Sequence, residues 1–333
     1  MSDITTSALS ETDTLSVGGE RRRRTGGRGA ERIRTGTAGK YRNLVNRLTK
    51  TELLDPQALD EMHEASLTIL EEIGMDIMLP EARAIMKAHG ADVTEGSDRV
   101  RFDRDLIMDM IASAPREFQM FARNPERNVK MGGNNLVFAQ IASAPFVADR
   151  EGGRRAGNQE DFRKLVKLAQ CYDVIHTTGG YPVEPIDIHA SVRHLDCLSD
   201  MVKLTDKVFH CYSLGKQRNL DAIEIARIGR GVSMEQMENE PSLFTIINSS
   251  SPLRLDGPML QGIIEMSSRG QVVVMTPFTL AGAMAPVTIA GAVVQQNAEA
   301  LCGIAFTQMV KRGAPVVYGG FTSNVDMKTG APA

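Results

Sequence analysis

Tryptophan is absent from this 333-residue sequence, and Phe, Tyr and Trp together make up only 5% of it. Aliphatic side chains and the 18 methionines must therefore fill most of the interior. Cysteine is also scarce, and no C-x-x-C pair occurs among Cys171, Cys197, Cys211 and Cys302. This spacing is not typical of a zinc ribbon or a small disulfide framework, so it favours an intracellular, reduced protein.

The sequence also lacks a long apolar segment and an excess of either charge. No run approaches the ~20 apolar residues of a membrane span, and the amino terminus has no apolar core that could serve as a secretory signal. The 38 basic and 41 acidic residues give a formal net charge of −3, which provides no global field to attract nucleic acid or an anionic membrane. We therefore predict a cytoplasmic protein with no membrane partner, and the charge balance argues against nucleic acid as a partner of the body of the chain.

The amino-terminal part, residues 1–50, differs in composition from the rest. Its centre is rich in glycine and carries the basic residues Arg21, Arg22, Arg23, Arg24, Arg28, Arg32 and Arg34. Such a composition cannot form a core, so we predict a disordered Arg/Gly-rich arm. Two interpretations stay open for it: a solvated tail, or a segment that contacts RNA or an acidic partner.

Ordered structure is predicted to start with a helical segment at residues 51–130. Asp55-Pro56 is typical of a helix start, apolar residues then recur at helical spacing, and Gly74 marks the helix end. A second helix is predicted from Pro80 to Gly90 and a third after Asp103. We interpret this segment as a cap or amino-terminal subdomain.

Residues 131–333 alternate β runs with amphipathic helices. Two short runs, 136–141 and 145–148, suggest a hairpin. Five further runs, each preceded by a helical pattern, predict parallel strands at 174–178, 208–213, 243–248, 271–276 and 315–318.

Such a sheet can be open and doubly wound, or closed as a (β/α)₈ barrel. No G-x-G-x-x-G follows the first strand, so the dinucleotide-binding form of the open sheet lacks its fingerprint. Because about five of eight βα units are visible, we predict an α/β protein with a TIM (β/α)₈-type barrel that is truncated at its carboxyl end.

The carboxyl ends of the predicted strands are rich in small and hydroxyl residues, and parallel βα folds bind ligands at these ends. This composition favours a small molecule over a polymer. No nucleophile elbow, P-loop, H-E-x-x-H or paired Cys-His motif is present. The aromatic residues at or just past these ends are Tyr181, Tyr212, Phe278, Tyr318 and Phe321. Aromatic faces suit a methylated ammonium, because a quaternary cation cannot donate a hydrogen bond.

Many positions between Leu53 and the last residue resemble one family. They include the stretches 80–83 with Gly90, 114–115, 250–253, 281–283, 297–299, 313–319 and 326–332. In these stretches the chain closely resembles the trimethylamine methyltransferase family. The Arg/Gly arm lies outside the resemblance.

The resemblance implies a TIM barrel that transfers a methyl group from a methylated amine to the cobalt of a separate corrinoid protein. Some archaeal members act on trimethylamine and carry pyrrolysine, whereas many bacterial relatives lack it and some demethylate glycine betaine. Full-length relatives continue beyond residue 333. No cofactor bound directly to this chain is implied. The implied partners are the corrinoid protein and a small methylated amine, and we also expect a homo-oligomer.

Within the resembled fold, strand-end position assigns seven substrate-binding residues. We predict Tyr181, Tyr212, Phe278 and Tyr318 as walls that face the cation, and His210, Asn248 and Thr276 as polar groups that orient it. No catalytic residue is assigned. Two alternatives stay open: another TIM-barrel enzyme acting on a small polar substrate, and a non-catalytic fragment or small-molecule binding protein.

Overall fold

A six-stranded parallel sheet lies at the centre of the computed structural model, which describes residues 41–326 and 328–331. Its strands stand side by side in chain order, each paired with the next: Ala139–Gln140, Thr177–Thr178, Val208–His210, Leu243–Ile247, Val272–Met275 and Val316–Tyr318. Within the described ranges the first and last of these are edge strands, so the sheet does not close into a barrel. The predicted α/β class is confirmed.

The described strands are numbered in chain order as β1 Leu44–Val45, β2 Met75–Ile77, β3 Asp92–Val93, β4 Arg99–Arg101, β5 Glu117–Met120, β6 Val129–Gly132, β7 Asn135–Leu136, β8 Ala139–Gln140, β9 Phe146–Asp149, β10 Gly153–Ala156, β11 Thr177–Thr178, β12 Val208–His210, β13 Leu243–Ile247, β14 Arg254–Leu255, β15 Val272–Met275, β16 Phe278–Ala281, β17 Val316–Tyr318 and β18 Phe321–Asn324. The described α-helices are α1 Pro56–Thr68, α2 Pro80–Ala88, α3 Arg104–Ala112, α4 Gln159–Cys171, α5 Arg193–Leu204, α6 Lys216–Arg230, α7 Met234–Asn239, α8 Gly257–Ser268 and α9 Ile289–Val310. A π-helical turn, Ile69–Ile73, continues α1, and a short 3₁₀ helix spans Pro125–Arg127. No described helix combines the length and the apolar character that crossing a bilayer requires.

The helices that connect neighbouring strands form a single layer. Right-handed crossovers between strands that are adjacent in the chain place every connecting helix on the same face of a sheet. In agreement, α4 contacts α5, α5 contacts α6, α6 contacts α8, and α8 contacts α9. One face of the sheet is therefore covered by helices, and the other is left for a second core and a cavity.

Alternate residues of each strand serve these two faces. On β13, Leu243 and Ile247 join the large core with the connecting helices, whereas Phe244 joins a smaller core on the opposite face. The smaller core also contains Val208 and Val272, which begin their strands, and Met120 of the antiparallel β5–β6 hairpin. The hairpin thus packs against the amino ends of the strands and leaves their carboxyl ends free.

The predicted helix starts in the amino-terminal segment agree with the structure. The Asp55 carboxylate caps α1 by accepting from Ala58 N at 2.8 Å, and Asp103 caps α3 in the same way. Gly74 ends the π turn with φ +75°, where a Cβ atom would lie 2.2 Å from the Val100 carbonyl oxygen. Only glycine fits there without moving the neighbouring backbone.

The rest of the segment 51–130 is not purely helical, contrary to the interpretation from sequence. Strands β2, β3 and β4 alternate with its helices and form a four-stranded sheet with β14, which comes from a distant part of the chain. Strands of two or three residues are too short to show a hydrophobic period, so the sequence carried no signal for them.

Two other predictions also differ from what is found. The runs 136–141 and 145–148 do not form a hairpin with each other, because β8 joins the parallel sheet and β9 pairs with β10. The arm predicted for residues 1–50 falls on residues 1–40, which lie outside the described residues, and on residues 41–50, where β1 pairs with β7.

Candidate active site

A cavity of about 450 Å³ lies at the carboxyl ends of the central strands. Its walls come from the segments that follow β8, β11, β12, β13, β15 and β17, and they include Ala142, Ser143, Gly179, His210, Tyr212, Ser213, Leu214, Ile246, Asn248, Met259, Thr276, Phe278 and Phe321. None of these described wall residues is Asp, Glu, Lys or Arg. The cavity, called the amine cavity below, therefore has no formally charged wall residue as long as His210 is neutral.

Aromatic rings form two of its walls. Phe278 on β16 and Phe321 on β18 are stacked, with ring centroids 5.0 Å apart and an interplanar angle of 23°. The parallel pairing of β16 with β18 holds them side by side beyond the end of the central sheet. Across the cavity Tyr212 is fixed through its hydroxyl, which is 2.6 Å from Ser143 Oγ and accepts from Tyr181 N.

His210 is a buried histidine that stays neutral. Its Nε2 atom accepts a hydrogen bond from Ile246 N at 3.3 Å, so in the neutral ring the proton lies on Nδ1. Complete burial lowers the pKa of His210 to about 3, because the charged form cannot be solvated. Nδ1 is buried without a hydrogen-bond partner among the described residues.

Two further polar side chains of the cavity also have no protein partner. Neither the Asn248 amide nor the Thr276 hydroxyl hydrogen-bonds another described residue, and both line the cavity. Each can therefore donate to or accept from a ligand without breaking an existing bond.

The loop that follows Asn248 is fixed by a buried carboxylate on α9. Glu299 accepts from the hydroxyls of Ser249 and Ser251, from Leu253 N at 2.8 Å and from Gln295 Nε2 at 3.0 Å. Four donors to one fully buried carboxylate satisfy most of its lone pairs. Glu299 thereby holds the segment that carries Asn248 against α9.

The structure brings together five of the seven predicted binding residues. His210, Tyr212, Asn248, Thr276 and Phe278 all line the amine cavity, whereas Tyr181 and Tyr318 do not. Tyr318 is on the helix-facing side of β17, and its hydroxyl donates to Asn297 Oδ1 of α9 at 2.9 Å. Its position at a strand end was predicted correctly, but alternate residues of a strand face opposite sides, so it points away from the cavity.

Tyr181 lies behind the cavity wall. It is 5% exposed, and its ring packs edge-on against Phe162 and Tyr212, with centroids 5.6 and 4.6 Å away. Burial raises the pKa of Tyr181, so it is a neutral phenol. It lines a second cavity on the other side of Tyr212.

Comparison with known proteins agrees with the family resemblance. The sequence profile described as trimethylamine methyltransferase (MTTB) matches residues 18–333, so the match includes the arginines of the arm, which were predicted to lie outside the resemblance. The chain belongs to this family. The glycine betaine methyltransferase of Desulfitobacterium hafniense (strain Y51) is 37% identical over 284 residues, which cover 85% of this chain and 59% of the relative.

More distant relatives carry other substrates in their names. The trimethylamine methyltransferase MttB of D. hafniense (strain DSM 10664 / DCB-2) is 27% identical over 275 residues, covering 82% of this chain and 55% of the relative. The proline betaine:corrinoid methyltransferase of Eubacterium limosum is 27% identical over 292 residues, covering 85% and 59%. The chain thus spans between 55% and 59% of the length of these family members.

Eight of the thirteen described cavity residues in this family member were not assigned from sequence, and three of them illustrate why. Phe321 was recognised as a strand-end aromatic but left out of the assigned walls. Ser143 follows β8, whose membership of the parallel sheet was missed. Gly179 lines the cavity where a Cβ atom would lie 2.2 Å from the Gln140 carbonyl oxygen, and no motif marks it. No three His, Cys, Asp or Glu side chains of the described part of the chain are grouped to hold a metal ion.

Proposed function

We propose that this chain binds a methylated amine, tertiary or quaternary, in the amine cavity and serves a methyltransferase whose acceptor is a corrinoid held by a partner protein. The observation that carries the proposal is an uncharged cavity with aromatic walls at the strand ends of a chain from this family. Relatives named as glycine betaine and proline betaine:corrinoid methyltransferases support this substrate class and this acceptor.

The composition of the walls favours a quaternary over a protonated tertiary amine. A protonated amine carries an N–H that seeks a carboxylate acceptor, and none lines the cavity among the described residues. A quaternary ammonium has no N–H and is attracted by the faces of Tyr212, Phe278 and Phe321. The Asn248 amide and the Thr276 hydroxyl then supply neutral hydrogen bonds to the remainder of the ligand.

For methyl transfer, this chain has to bind the amine and align its methyl group. Loss of a methyl group turns a quaternary ammonium into a neutral tertiary amine, so the leaving group needs no proton from the protein. When the partner is bound, its corrinoid cobalt supplies the nucleophile. The chain's residues hold the methyl group in one orientation, which is a large part of what catalysis of an in-line transfer requires. The neutral state of His210 fits this role, because a positive charge there would repel the substrate.

We further propose that β8, β11, β12, β13, β15 and β17 are six consecutive strands of a (β/α)₈ barrel. Their order follows the chain, all pairs are parallel, and the connecting helices form one layer, as in such a barrel. The barrel proposal also accounts for the position of the cavity at the carboxyl ends of the strands. Homo-oligomerisation and a cytoplasmic location stay predictions.

The test measures how much the aromatic ring of Phe278, as distinct from its apolar volume, contributes to the affinity for the amine. Isothermal titration calorimetry with glycine betaine would compare the wild type with Phe278→Leu, which keeps an apolar side chain but removes the ring. We expect binding to weaken by about 2- to 30-fold, since a cation–π contact contributes about 0.5 to 2 kcal/mol. Phe146→Leu, an exposed position outside the cavity, is the matched control.

Equal affinity of the wild type and Phe278→Leu would remove Phe278 from the cation-binding wall. In the complete protein, methyl transfer to a Co(I) corrinoid protein can be followed by absorbance. Binding of glycine betaine without any transfer would favour a non-catalytic binding protein instead.

A further inference from the structure

A cavity of about 420 Å³ lies at the amino ends of the central strands, opposite the end that carries the amine cavity. It is bordered by the residues that precede β13, β15 and β17, by the last residues of α7 and by strand β5. Its walls include Phe118, Phe121, Glu238, Gly270 and Lys311, and none of its wall residues lines the amine cavity. We call it the Glu238–Lys311 cavity.

Two opposite charges line this cavity without neutralising each other. Glu238 and Lys311 are the Asp, Glu, Lys or Arg residues among its described walls, so its formal net charge is zero. Neither side chain forms an ion pair or a hydrogen bond with another described residue. Arg312, the next residue along the chain, by contrast pairs with Asp109 at 3.0 Å. The cavity therefore offers one charged acceptor and one charged donor, and both are free.

The turn before β15 brings the two charged residues to the same wall. A Cβ atom on Gly270 would lie 2.1 Å from the Glu238 carbonyl oxygen and 3.5 Å from Lys311 Nζ. The missing side chain thus lets the end of α7 approach this turn and leaves the Lys311 ammonium beside it. On the aromatic side, Phe121 N donates to the Pro241 carbonyl oxygen at 2.7 Å, which fixes the residue after β5 to the start of β13.

We propose that the Glu238–Lys311 cavity binds an ammonium carboxylate that keeps at least one N–H, the class to which α-amino acids and their N-methyl derivatives belong. Lys311 donates to the carboxylate of the ligand, and Glu238 accepts from its N–H, so each free charge of the protein gains a partner of opposite sign. The rings of Phe118 and Phe121 supply the apolar wall for the carbon skeleton. The inference goes beyond the proposed function and does not rest on it, because it concerns a different cavity with different charges.

The charge pattern disfavours simpler ligands of the same size. A simple anion is attracted by Lys311 but repelled by Glu238, and the reverse holds for a simple cation. A quaternary ammonium carboxylate keeps the contact with Lys311 but has no N–H to donate to Glu238. The cavity should therefore prefer a zwitterion with an N–H over a fully methylated one.

Isothermal titration calorimetry on the full chain tests the site with N,N-dimethylglycine, which keeps one N–H. Three probes each lack one group: N,N-dimethylglycinamide lacks the carboxylate, N-acetylglycine lacks the ammonium, and glycine betaine lacks the N–H. We expect Glu238→Gln and Lys311→Gln each to weaken the binding of N,N-dimethylglycine about 10- to 100-fold, since hydrogen bonds between charged groups are the strong ones. The amide and N-acetylglycine should bind the wild type more weakly than N,N-dimethylglycine.

Matched controls separate this site from the general charge of the surface. Glu235→Gln removes an exposed carboxylate from the same helix, α7, and Lys203→Gln removes an exposed ammonium from α5, both outside the cavity. Each should leave the affinity for N,N-dimethylglycine within about twofold. Binding of glycine betaine in the amine cavity should not respond to Glu238→Gln or Lys311→Gln, because neither residue lines that cavity.

Three results would overturn the proposal. The first is that the wild type does not bind N,N-dimethylglycine, or that neither substitution weakens its binding. The second is a loss in Lys311→Gln alone, with N-acetylglycine bound as tightly as N,N-dimethylglycine, which would indicate a plain anion site. The third is equal sensitivity of glycine betaine and N,N-dimethylglycine to Glu238→Gln, which would refute the requirement for an N–H. None of these results bears on the Phe278→Leu test, so this proposal and the proposed function can fail separately.

Discussion

The neutral state of His210 has a measurable consequence for stability against pH. The pKa of His210 is about 3 in the folded chain, against about 6.5 for an unperturbed histidine. As the pH falls, the unfolded chain therefore binds this proton first. The stabilisation is fully present above pH 6.5 and is lost as the pH falls toward 3. Over the whole range the difference corresponds to about 5 kcal/mol, and between pH 7 and pH 5 to about 2 kcal/mol.

Urea unfolding of the wild type and of His210→Asn at pH 7 and pH 5 isolates this contribution. The free energy of unfolding of the wild type should fall by about 2 kcal/mol more than that of the variant between these pH values. His176, whose pKa is also lowered by burial, contributes equally to both proteins and cancels. Parallel pH dependences would refute the reasoning. If the variant fails to fold, the ¹³C shift of His210 Cε1 gives the same answer, since it should show a neutral ring at pH 5.

Three substitutions test the structural roles described above. Glu299→Ala removes the acceptor that four donors share and should lower the free energy of unfolding by about 3 to 5 kcal/mol, measured by urea unfolding. A loss below about 1 kcal/mol would contradict the anchoring role. Gly179→Ala forces a Cβ atom against the Gln140 carbonyl oxygen, so it should lower the free energy of unfolding and weaken amine binding. An unchanged dissociation constant in calorimetry would contradict the close approach of Gly179 to Gln140. Tyr318→Phe removes the bond to Asn297 and should cost about 1 kcal/mol with no change in amine affinity; weakened binding would return Tyr318 to the cavity.

The positions of strand ends could be predicted from sequence much better than the directions of side chains. The alternation of helical and β patterns located five of the six central strands, and five of the seven predicted binding residues line one cavity. Tyr318 was misassigned because a position at a strand end does not say which face of the sheet a side chain takes, and alternate residues of a strand face opposite sides. A run of three to five residues has too few positions for a hydrophobic period to distinguish the two faces.

The two-residue strand β8 shows that long-range strand pairing could not be predicted from sequence. Ala139 and Gln140 pair with Thr177 and Thr178 across 38 residues of chain, and no local pattern predicts such a pairing. Ser143, which follows β8 and contacts the Tyr212 hydroxyl, was missed for the same reason.

The sequence by itself determined the helix starts at Asp55 and Asp103, the helix end at Gly74 and the alternation of strands with helices, because these depend on local interactions. Similarity spread along the chain also determined the family. Caps, turns and hydrophobic periods involve residues a few positions apart, so they are readable along the chain. Only the tertiary structure decided which side chains share a cavity, that His210 is neutral, and that its Nδ1 atom has no hydrogen-bond partner among the described residues. These properties depend on burial and on contacts between distant segments, and both exist only once the chain has folded.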